Sequence, residues 1–471
     1  MSLLLKIASR NILRNGRRSL MTTLAIAVGA VAMLLFGEFI AFMILGLQTT
    51  MVQRIGHLSV SRTGYFELGS GNPALYGISR YREVIRLIED DPMLKPMLNV
   101  ATPSVTLFGI AGNFDVDASK TFFGSGVVPS DRERMRHWNE YGFDRTRPAQ
   151  APAMSDAEPS RGVIGVGLAR ILGLCQRLEL GNCASPPNSA PAAKEQAVQD
   201  RAVESFSELA KRDLEPARAM PGRGLPRIDL LAATAGGAPN VVSLYVARAE
   251  PQGVKELDDS YVVMHIDLAQ QLLYGRGEHK AVSLVLQLHR SEDIPAARAR
   301  LAALFKQHGL DLEVHDFTEL QPVYKQIIGM MGAIFSFIAA IMGVIVLFTV
   351  VNTMSMSVME RVNEIGTTRA LGVRRAGIRR QFVAEGALLG ILGASAGLLL
   401  GAAVAYAVNR AGLTWTPPMQ ARPVPLRLLA TGMHSLVIGV WLGLVALATV
   451  AALIPANRAA RMPVVDALRH V

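Results

Sequence analysis

The sequence predicts an integral membrane protein with four transmembrane helices and one large extracytoplasmic α+β domain. Half of its 471 residues are hydrophobic and only 18% are charged, which is unusual for a soluble protein of this length. Four segments each offer about 20 or more mostly apolar residues, the length that a helix needs to cross a bilayer. About 275 residues separate the first two of these segments, enough for a folded domain.

The four predicted transmembrane helices cover residues 19–47, 326–351, 385–409 and 435–455. Basic residues precede the first one, as they do in secretory signal peptides. The apolar core of a signal peptide is only about 7–15 residues long, whereas this stretch continues well beyond that length. The sequence therefore predicts an uncleaved first transmembrane helix.

Positive charge is concentrated in three short segments. Residues 1–18 hold five basic and no acidic residues, residues 352–384 hold six Arg against two Glu, and residues 456–471 hold three Arg against one Asp. Basic loops stay on the cytoplasmic side of a membrane. These three segments are therefore predicted to be cytoplasmic, and residues 48–325 and 410–434 extracytoplasmic. The net charge of +10 is a signal of topology, and no nucleic-acid partner is predicted.

The large outer segment alternates short strand-like and helical runs, which predicts an α+β domain. Strand-like runs cover residues 57–60, 104–110, 241–247, 261–264, 283–288 and 312–314. Helical runs cover residues 80–90, 161–174 and 295–308. Two stretches rich in Pro, Ala and charge, residues 145–160 and 184–226, are predicted to be loops or insertions because they offer little to bury.

The only two cysteines, Cys175 and Cys183, both fall in this outer segment. An oxidising compartment would allow them to pair. Two interpretations are open: a disulfide that closes the turn between them, or two separate thiols. No His lies near enough in sequence to complete a metal site, so no metal is predicted.

Motifs of catalysis are absent from the sequence. It contains no GxxxxGK[ST] phosphate-binding loop, no HExxH and no GxSxG. We therefore predict no catalytic residues and no cofactor bound by this chain. A membrane protein with no energy source of its own would have to take energy from a partner.

Glu38 is the one ionisable residue inside an apolar segment. It follows Ser19 by about 30 Å of helix, which is about the thickness of the hydrocarbon core, so we expect it near the outer interface. Intramembrane carboxylates are costly and often functional. Glu38 is interpreted either as a carboxylate at headgroup level or as a group that serves a substrate or a proton.

In the third predicted span, Gly393, Gly397 and Gly401 recur every four residues. Such spacing places them on one face of a helix, where a neighbouring helix can approach closely. The pattern predicts tight helix packing, either within the subunit or across a dimer.

Residues 352–384 form a basic loop between the second and third spans. Glu360 and Glu364 lie one turn apart, and Gly372 is well placed to end a helix as a left-handed C-cap. The apolar residues Val362, Ile365 and Leu371 give this helix a partly apolar face, and a second helix with Ile378 and Phe382 leads into the third span. The residues alone leave two hypotheses: a docking element for another protein, or a solvated basic connector.

The stretch ERVNEIGTTRALGVRRAGIRRQFVAEGALLGILGASAGLLLG, residues 360–401, resembles the signature of FtsX-like ABC transporter permeases. The N-terminal LKIASRNILRNGRRSLMTTLAIAVG is similar to the amphipathic N-terminal helix and first span of that family, and PANRAARMPVVDAL to its C-terminal tail. RGVIGVGLARILGL resembles part of the MacB-like periplasmic domain of such permeases. GHLSVSRTGYFELGSGNPALYGI is most similar to the lipoprotein-releasing branch.

The resemblance implies a half-permease in the bacterial inner membrane, with residues 1–18 as a cytoplasmic amphipathic helix and residues 456–471 as a cytoplasmic tail. Its implied partners are two copies of a separate ABC ATPase, which would bind ATP and Mg, a second permease copy or paralogue, membrane lipid, and a periplasmic carrier or adaptor. ATP-driven motion would reach the MacB-like domain through the first and second spans, a mechanism called mechanotransmission.

The resemblance also implies which residues contact the ATPase. They are Glu360, Arg361, Glu364, Ile365, Gly366, Arg369, Ala370, Leu371 and Gly372. The implied function is export or extraction of a substrate on the outer side of the membrane, such as a lipoprotein or another lipophilic molecule. The alternative is a regulatory scaffold that transmits ATPase motion to an extracytoplasmic cell-wall hydrolase.

Overall fold

The computed structural model describes residues 3–142, 151–181, 224–416, 423–428 and 434–463. The chain divides into two compact units. The helical unit comprises residues 1–45, 323–415 and 424–471, and the α+β unit comprises residues 46–322 and 416–423. In chain order, the α-helices are α1 (Leu3–Arg14), α2 (Gly16–Ile55), α3 (Tyr65–Leu68), α4 (Tyr81–Glu89), α5 (Pro129–Arg136), α6 (Val166–Ile171), α7 (Lys255–Asp258), α8 (Ile266–Tyr274), α9 (Ile294–Gln307), α10 (Phe317–Leu320), α11 (Pro322–Glu360), α12 (Val362–Ala370), α13 (Arg375–Ala411) and α14 (His434–Arg461).

Four of these helices, α2, α11, α13 and α14, are long and apolar enough to cross a membrane. Each contains one of the four predicted spans. Together with the α+β unit they confirm the predicted fold class. Helix α13 begins ten residues before the predicted span because the end of the basic loop is already helical, and Ile378 and Phe382 on it are buried.

Close backbone contact explains the glycines of α13. A Cβ atom at Gly397 would lie 2.5 Å from the Cβ of Ala30 and 2.6 Å from the carbonyl oxygen of Ala27, both on α2. A Cβ at Gly393 would lie 2.6 Å from the Cβ of Ile26, and one at Gly401 would lie 2.7 Å from Leu34. The predicted glycine face therefore packs against α2 within the chain.

The α+β unit is built on a nine-stranded sheet. Its strands are β1 (Leu58–Arg62), β2 (Leu98–Asn113), β3 (Ala118–Val127), β4 (Arg161–Gly165), β5 (Arg227–Ala233), β6 (Pro239–Glu250), β7 (Tyr261–His265), β8 (Ser283–Leu288) and β9 (Leu312–Asp316). The short hairpin of β10 (Thr414–Trp415) and β11 (Val424–Pro425) belongs to the helical unit.

Strand β2 belongs to two sheets at once. Its residues 98–104 pair with β8, which continues through β1 to β9 as an antiparallel sheet. Its residues 105–113 pair with β3, and from there the strand order β3-β7-β4-β6-β5 returns to β2, which closes a six-stranded ring. Gly109 permits this closure because a Cβ there would lie 2.1 Å from the carbonyl oxygen of Leu231 on β5.

Each sheet has its own hydrophobic core. Buried residues of the ring strands, such as Leu107, Leu230 and Val262, pack with α6 and α8. Buried residues of β8 and β1, such as Leu286, pack with α4 and α9, which contributes Phe305. Helix packing on one side of a sheet is what the strand–helix–strand pattern of residues 283–314 predicts.

The predicted helix over residues 161–174 is wrong in its first part, which forms strand β4. Val163 and Ile164 are both buried, and a short apolar run buried on both faces cannot be distinguished from a helix by periodicity. Helix α6 starts only at Val166, where the carboxylate of Asp258 accepts hydrogen bonds from the backbone N–H groups of Val166 and Gly167 at 3.0 and 2.8 Å.

Part of the predicted insertions, residues 145–150 and 184–223, lies outside the described residues, as does Cys183. Residues 151–160 are described and contain turns without helix or strand. Cys175 is disulfide-bonded, but pairing with Cys183 stays a prediction because that residue is not described.

Candidate functional site

The basic loop between the second and third spans folds into α12 and a tight turn. The turn is a Schellman motif: Gly372 has φ +93°, its N–H donates to the Arg369 carbonyl at 3.0 Å, and the Val373 N–H donates to the Thr368 carbonyl at 3.3 Å. A left-handed backbone of this kind favours glycine. The sequence-based expectation that Gly372 caps a helix agrees with this geometry.

The inner face of α12 packs into the helical unit. Val362, Ile365 and Gly366 are buried, and Ile365 belongs to the same hydrophobic cluster as Ile378 and Phe382 of α13. Buried side chains are not available to a partner protein. Ile365 and Gly366 are thus packed within this chain, and their implied contact with an ATPase stays a prediction.

Arg361, between α11 and α12, is also buried and is only 4% exposed. Its Nη1 donates to Glu385 Oε1 at 3.0 Å and to Oε2 at 3.3 Å. Its Nη2 donates to the backbone carbonyl of Asn11 at 3.3 Å, and the Asn11 side-chain amide donates to Glu385 Oε1 at 2.5 Å. Three segments of the chain thus meet at one buried ion pair. The implied ATPase contact of Arg361 stays a prediction.

Glu360 and Glu364 lie on the surface and are ion-paired within the chain. Glu364 Oε1 accepts from Arg14 Nη2 at 2.7 Å, and Glu360 pairs with Arg18. Asn15 also donates to Glu360, at 3.4 Å. Both carboxylates therefore hold the N-terminal segment, while their outer sides stay exposed to solvent.

Arg369, near the end of α12, hydrogen-bonds to the C-terminal end of α14. Its Nη1 donates to the backbone carbonyls of Ala460 and Met462 at 3.1 and 2.9 Å. Carbonyls at a helix C-terminus lack partners within the helix and carry partial negative charge, so a guanidinium is well suited to them. The turn that follows Arg369 is fixed by this contact.

What remains exposed is the turn itself, residues 370–375, which we call the coupling tip. Leu371 is 82% exposed and Val373 is 40% exposed. Arg374, Arg375, Arg379 and Arg380 surround them, and all four are exposed and form no ion pair with any described residue. Of the nine implied contact residues, Ala370, Leu371 and Gly372 are thus the ones presented on this surface.

Sequence reasoning missed five residues of this site: Asn11, Arg14, Asn15, Arg18 and Glu385. Glu385 carried a signal, since it is the carboxylate at the very edge of an uncharged span, where an ionisable residue usually has a partner. Asn11 and Arg14 gave none, because nothing in the sequence links them to residues about 350 positions away.

No group of His, Cys, Asp and Glu able to hold a metal ion occurs among the described residues. The histidine buried deepest in the α+β unit, His57, accepts a hydrogen bond from the Leu288 N–H on Nδ1 at 2.9 Å. Burial lowers the pKa of His57 to about 3. It is therefore a neutral structural residue.

Comparison with known proteins bears on the helical unit first. Residues 335–464 match the family model described as FtsX-like permease C-terminal. The macrolide export ATP-binding/permease protein MacB of Neisseria gonorrhoeae is 30% identical over 194 residues, which cover 41% of this chain and 28% of that protein. Residues 335–464 are thus similar to the C-terminal part of FtsX-like permeases, and the chain resembles MacB-type ABC permeases.

Two further similar proteins are also named as permeases. An uncharacterised ABC transporter permease of Methanocaldococcus jannaschii is 29% identical over 157 residues, covering 32% of this chain and 38% of the relative. MacB of Bdellovibrio bacteriovorus is 27% identical over 226 residues, covering 46% and 32%. The matched region spans only about a third of the length of each of these curated relatives.

Among solved structures, the extracellular domain of the ABC-type transporter YknZ from Gram-positive bacteria is similar to 55% of this chain. The match covers 98% of that domain, with a TM-score of 0.29 and 11% identity. The resemblance of residues 360–401 to FtsX-like permeases is confirmed by the family model, whereas the lipoprotein-releasing branch stays a prediction.

Proposed function

We propose that this permease couples ATP hydrolysis by a separate ABC ATPase to the export or extraction of a substrate on the outer side of the bacterial inner membrane. The observation that carries the proposal is the coupling tip. An exposed apolar pair, Leu371 and Val373, lies on a fixed turn, next to arginines that form no ion pair with any described residue.

The shape and charge of the tip fit a groove with an apolar floor and an acidic rim. Burial of Leu371 in such a groove would contribute to the binding affinity. The neighbouring arginines would orient the two proteins and favour an acidic partner. The Schellman turn and the Arg369 contacts hold the backbone of the tip before binding, so little ordering entropy would be lost on association. The tip would thus transmit motion as a rigid piece.

The membrane topology that this function needs follows from charge. The arginines of the tip would lie on the cytoplasmic side, together with both termini, and the α+β unit outside. ATP and Mg would bind on two copies of the ATPase. A stripe of exposed apolar residues along α11, namely Phe337, Ile341, Val344 and Phe348, is suited to a second permease copy or paralogue.

For the substrate, we propose a lipophilic or amphipathic molecule. The MacB relatives are named as macrolide exporters, and one stretch of this sequence is most similar to the lipoprotein-releasing branch. Macrolides and lipoproteins share a large apolar part and a polar part. A periplasmic carrier or adaptor would receive such a molecule after extraction.

Co-purification tests the proposal directly. The tagged full-length chain, extracted in detergent from its native host, should recover an ABC ATPase. Leu371→Glu should abolish this recovery, because a carboxylate would be buried without a partner in the groove. Leu68→Glu is the matched control, since Leu68 is 75% exposed and belongs to the α+β unit, which this proposal puts on the outer side of the membrane. Equal recovery by the two variants, or no ATPase with the wild type, contradicts the proposal.

A further inference from the structure

The N-terminal helix α1 is held by more than its apolar face. Ala8 is fully buried and Ile12 packs against the hydrophobic cluster of the helical unit. In addition, polar side chains of α1 and of the start of α2 reach the segment that carries the coupling tip. The two segments are about 350 residues apart in sequence.

Three polar links join them. Asn11 contributes two groups to the buried ion pair. Its side-chain amide donates to Glu385, and its backbone carbonyl accepts from Arg361. On the surface, Arg14 pairs with Glu364 and Arg18 pairs with Glu360. The links lie within two helical turns of one another, on both sides of the start of α12.

The links differ in strength. Both surface pairs are roughly half exposed, and exposed ion pairs contribute little because water competes for both partners. The side chains of Arg361 and Glu385 are 5% and 4% exposed, and a buried ion pair depends on further hydrogen bonds to satisfy its remaining atoms. Asn11 supplies two of those bonds. It is therefore the residue on which the connection mainly depends.

We infer that α1 sets the position of the coupling tip, with Asn11 as the positioning residue that joins α1 to the Arg361–Glu385 pair. If α1 moved away, one oxygen of Glu385 and one N–H of Arg361 would each lose a buried partner. Movement of the tip without α1 is therefore disfavoured, and the two segments move as one body. The role of this connection in ATP-driven motion rests on the proposed function; the connection itself does not.

Hydrogen exchange of the full-length chain in detergent tests the connection without any partner. Asn11→Ala should speed amide exchange across residues 362–370 by about tenfold or more, because α12 would open more often. Ser9→Ala is the matched control, since among the described residues the Ser9 hydroxyl bonds only to the Lys6 carbonyl, within α1. Unchanged exchange at residues 362–370 in Asn11→Ala would overturn the inference.

A double substitution distinguishes a specific role of the Asn11–Glu385 hydrogen bond from a general effect of altered packing around Asn11. Asn11→Asp combined with Glu385→Gln exchanges the amide and the carboxylate, and still places one negative charge opposite Arg361. Slow exchange at residues 362–370 should return in the double variant and not in either single variant. Fast exchange in the double variant as well would contradict a specific role for this network.

The same variants, examined with any co-purified ATPase, show whether the connection serves coupling. Asn11→Ala should still recover the ATPase, because the exposed tip is intact. In the wild-type complex the rate of ATP hydrolysis should differ from that of the ATPase alone, and in Asn11→Ala this difference should be lost. The double variant should restore that difference, and a wild-type difference in Asn11→Ala would overturn a role in coupling. If the wild type recovers no ATPase, the proposed function fails, and the exchange data still decide the role of Asn11.

Discussion

Arg361 and Glu385 form a buried ion pair in which Nη1 lies 3.0 Å from Oε1 and 3.3 Å from Oε2. The pair joins the start of α12 to the first turns of α13, 24 residues later. Both groups would be expensive to leave without a partner. The pair therefore fixes the start of α12 relative to α13.

Removal of one partner should be far more damaging than removal of both. Glu385→Gln or Arg361→Met leaves an uncompensated buried charge or a weakened network, which typically costs about 3–5 kcal/mol. The double variant Arg361→Met/Glu385→Leu should recover much of this loss. Thermal unfolding of the detergent-solubilised chain measures the difference, and Arg14→Gln/Glu364→Gln, an exposed pair, should lose at most about 1 kcal/mol. Equal costs for the single and double buried variants would contradict this account.

Gly397 should tolerate no side chain. Gly397→Ala would place a Cβ 2.5 Å from Ala30 and 2.6 Å from the Ala27 carbonyl, so α2 and α13 would have to separate at a cost of about 1–3 kcal/mol. Gly443→Ala on α14 is the matched control, because nothing lies within 4 Å of a Cβ there. The control should be neutral or slightly stabilising. Melting temperatures that rank the two variants in the opposite order would refute the packing described for α13.

His57 should make the α+β unit sensitive to acid. Burial lowers its pKa to about 3, while in the unfolded chain it titrates near 6.5, so below about pH 6.5 the unfolded state takes up a proton that the folded state does not. The stability that the neutral ring contributes is complete above pH 6.5 and is lost as pH falls toward 3. At pH 5 the loss is about 2 kcal/mol.

The variant His57→Asn isolates this effect. Its amide oxygen can accept from the Leu288 N–H as Nδ1 does, and it does not titrate. Between pH 7 and pH 5 the full-length variant should therefore lose about 2 kcal/mol less stability than the wild type, even if it is less stable at pH 7. Parallel pH profiles of unfolding would show that His57 is not responsible.

Glu38 should be replaceable without loss of stability. Glu38 is 1% exposed inside the helical unit, and its Oε2 has no hydrogen-bond partner among the described residues. An unsatisfied buried polar group costs about 1–3 kcal/mol, so Glu38→Met should raise the melting temperature. Glu385→Met, which removes a fully paired carboxylate, should lower it. A destabilised Glu38→Met would contradict this view, and a stable but inactive one would favour a substrate or proton role.

Much of the fold could be predicted from the sequence because its signals are local. Each of the four spans is a long apolar run, and residues 283–288 are predicted and observed as the same strand. The error at residues 161–165 has a physical reason: β4 is buried on both faces between β6 and β7, and its neighbours are supplied by residues about 80–100 positions later. A single short apolar run does not encode that environment.

The candidate site was predictable only in outline. Leu371 and Gly372 stand where a Gly-ended docking helix would present them. Arg361 and Ile365 read like contact residues because their burial depends on Glu385, Asn11 and the α13 core, none of which neighbours them in sequence. Those contacts were implied by the family resemblance; long-range polar pairs leave no periodicity, so the sequence alone does not show that these residues are buried.

Strand β2 belongs both to the six-stranded ring and to the four-stranded sheet, and this affects how the chain unfolds. The ring and the four-stranded sheet share β2, one continuous strand of 16 residues. Loss of β2 from one of them therefore disturbs the other. The two hydrophobic cores should therefore melt as a single cooperative block and not as separable subdomains. Because ring closure brings β2 together with β5 more than 110 residues later, assembly of this block is governed by non-local contacts and should be slow. During biogenesis, the unit would stay open to proteases and chaperones until β5 and β6 have emerged.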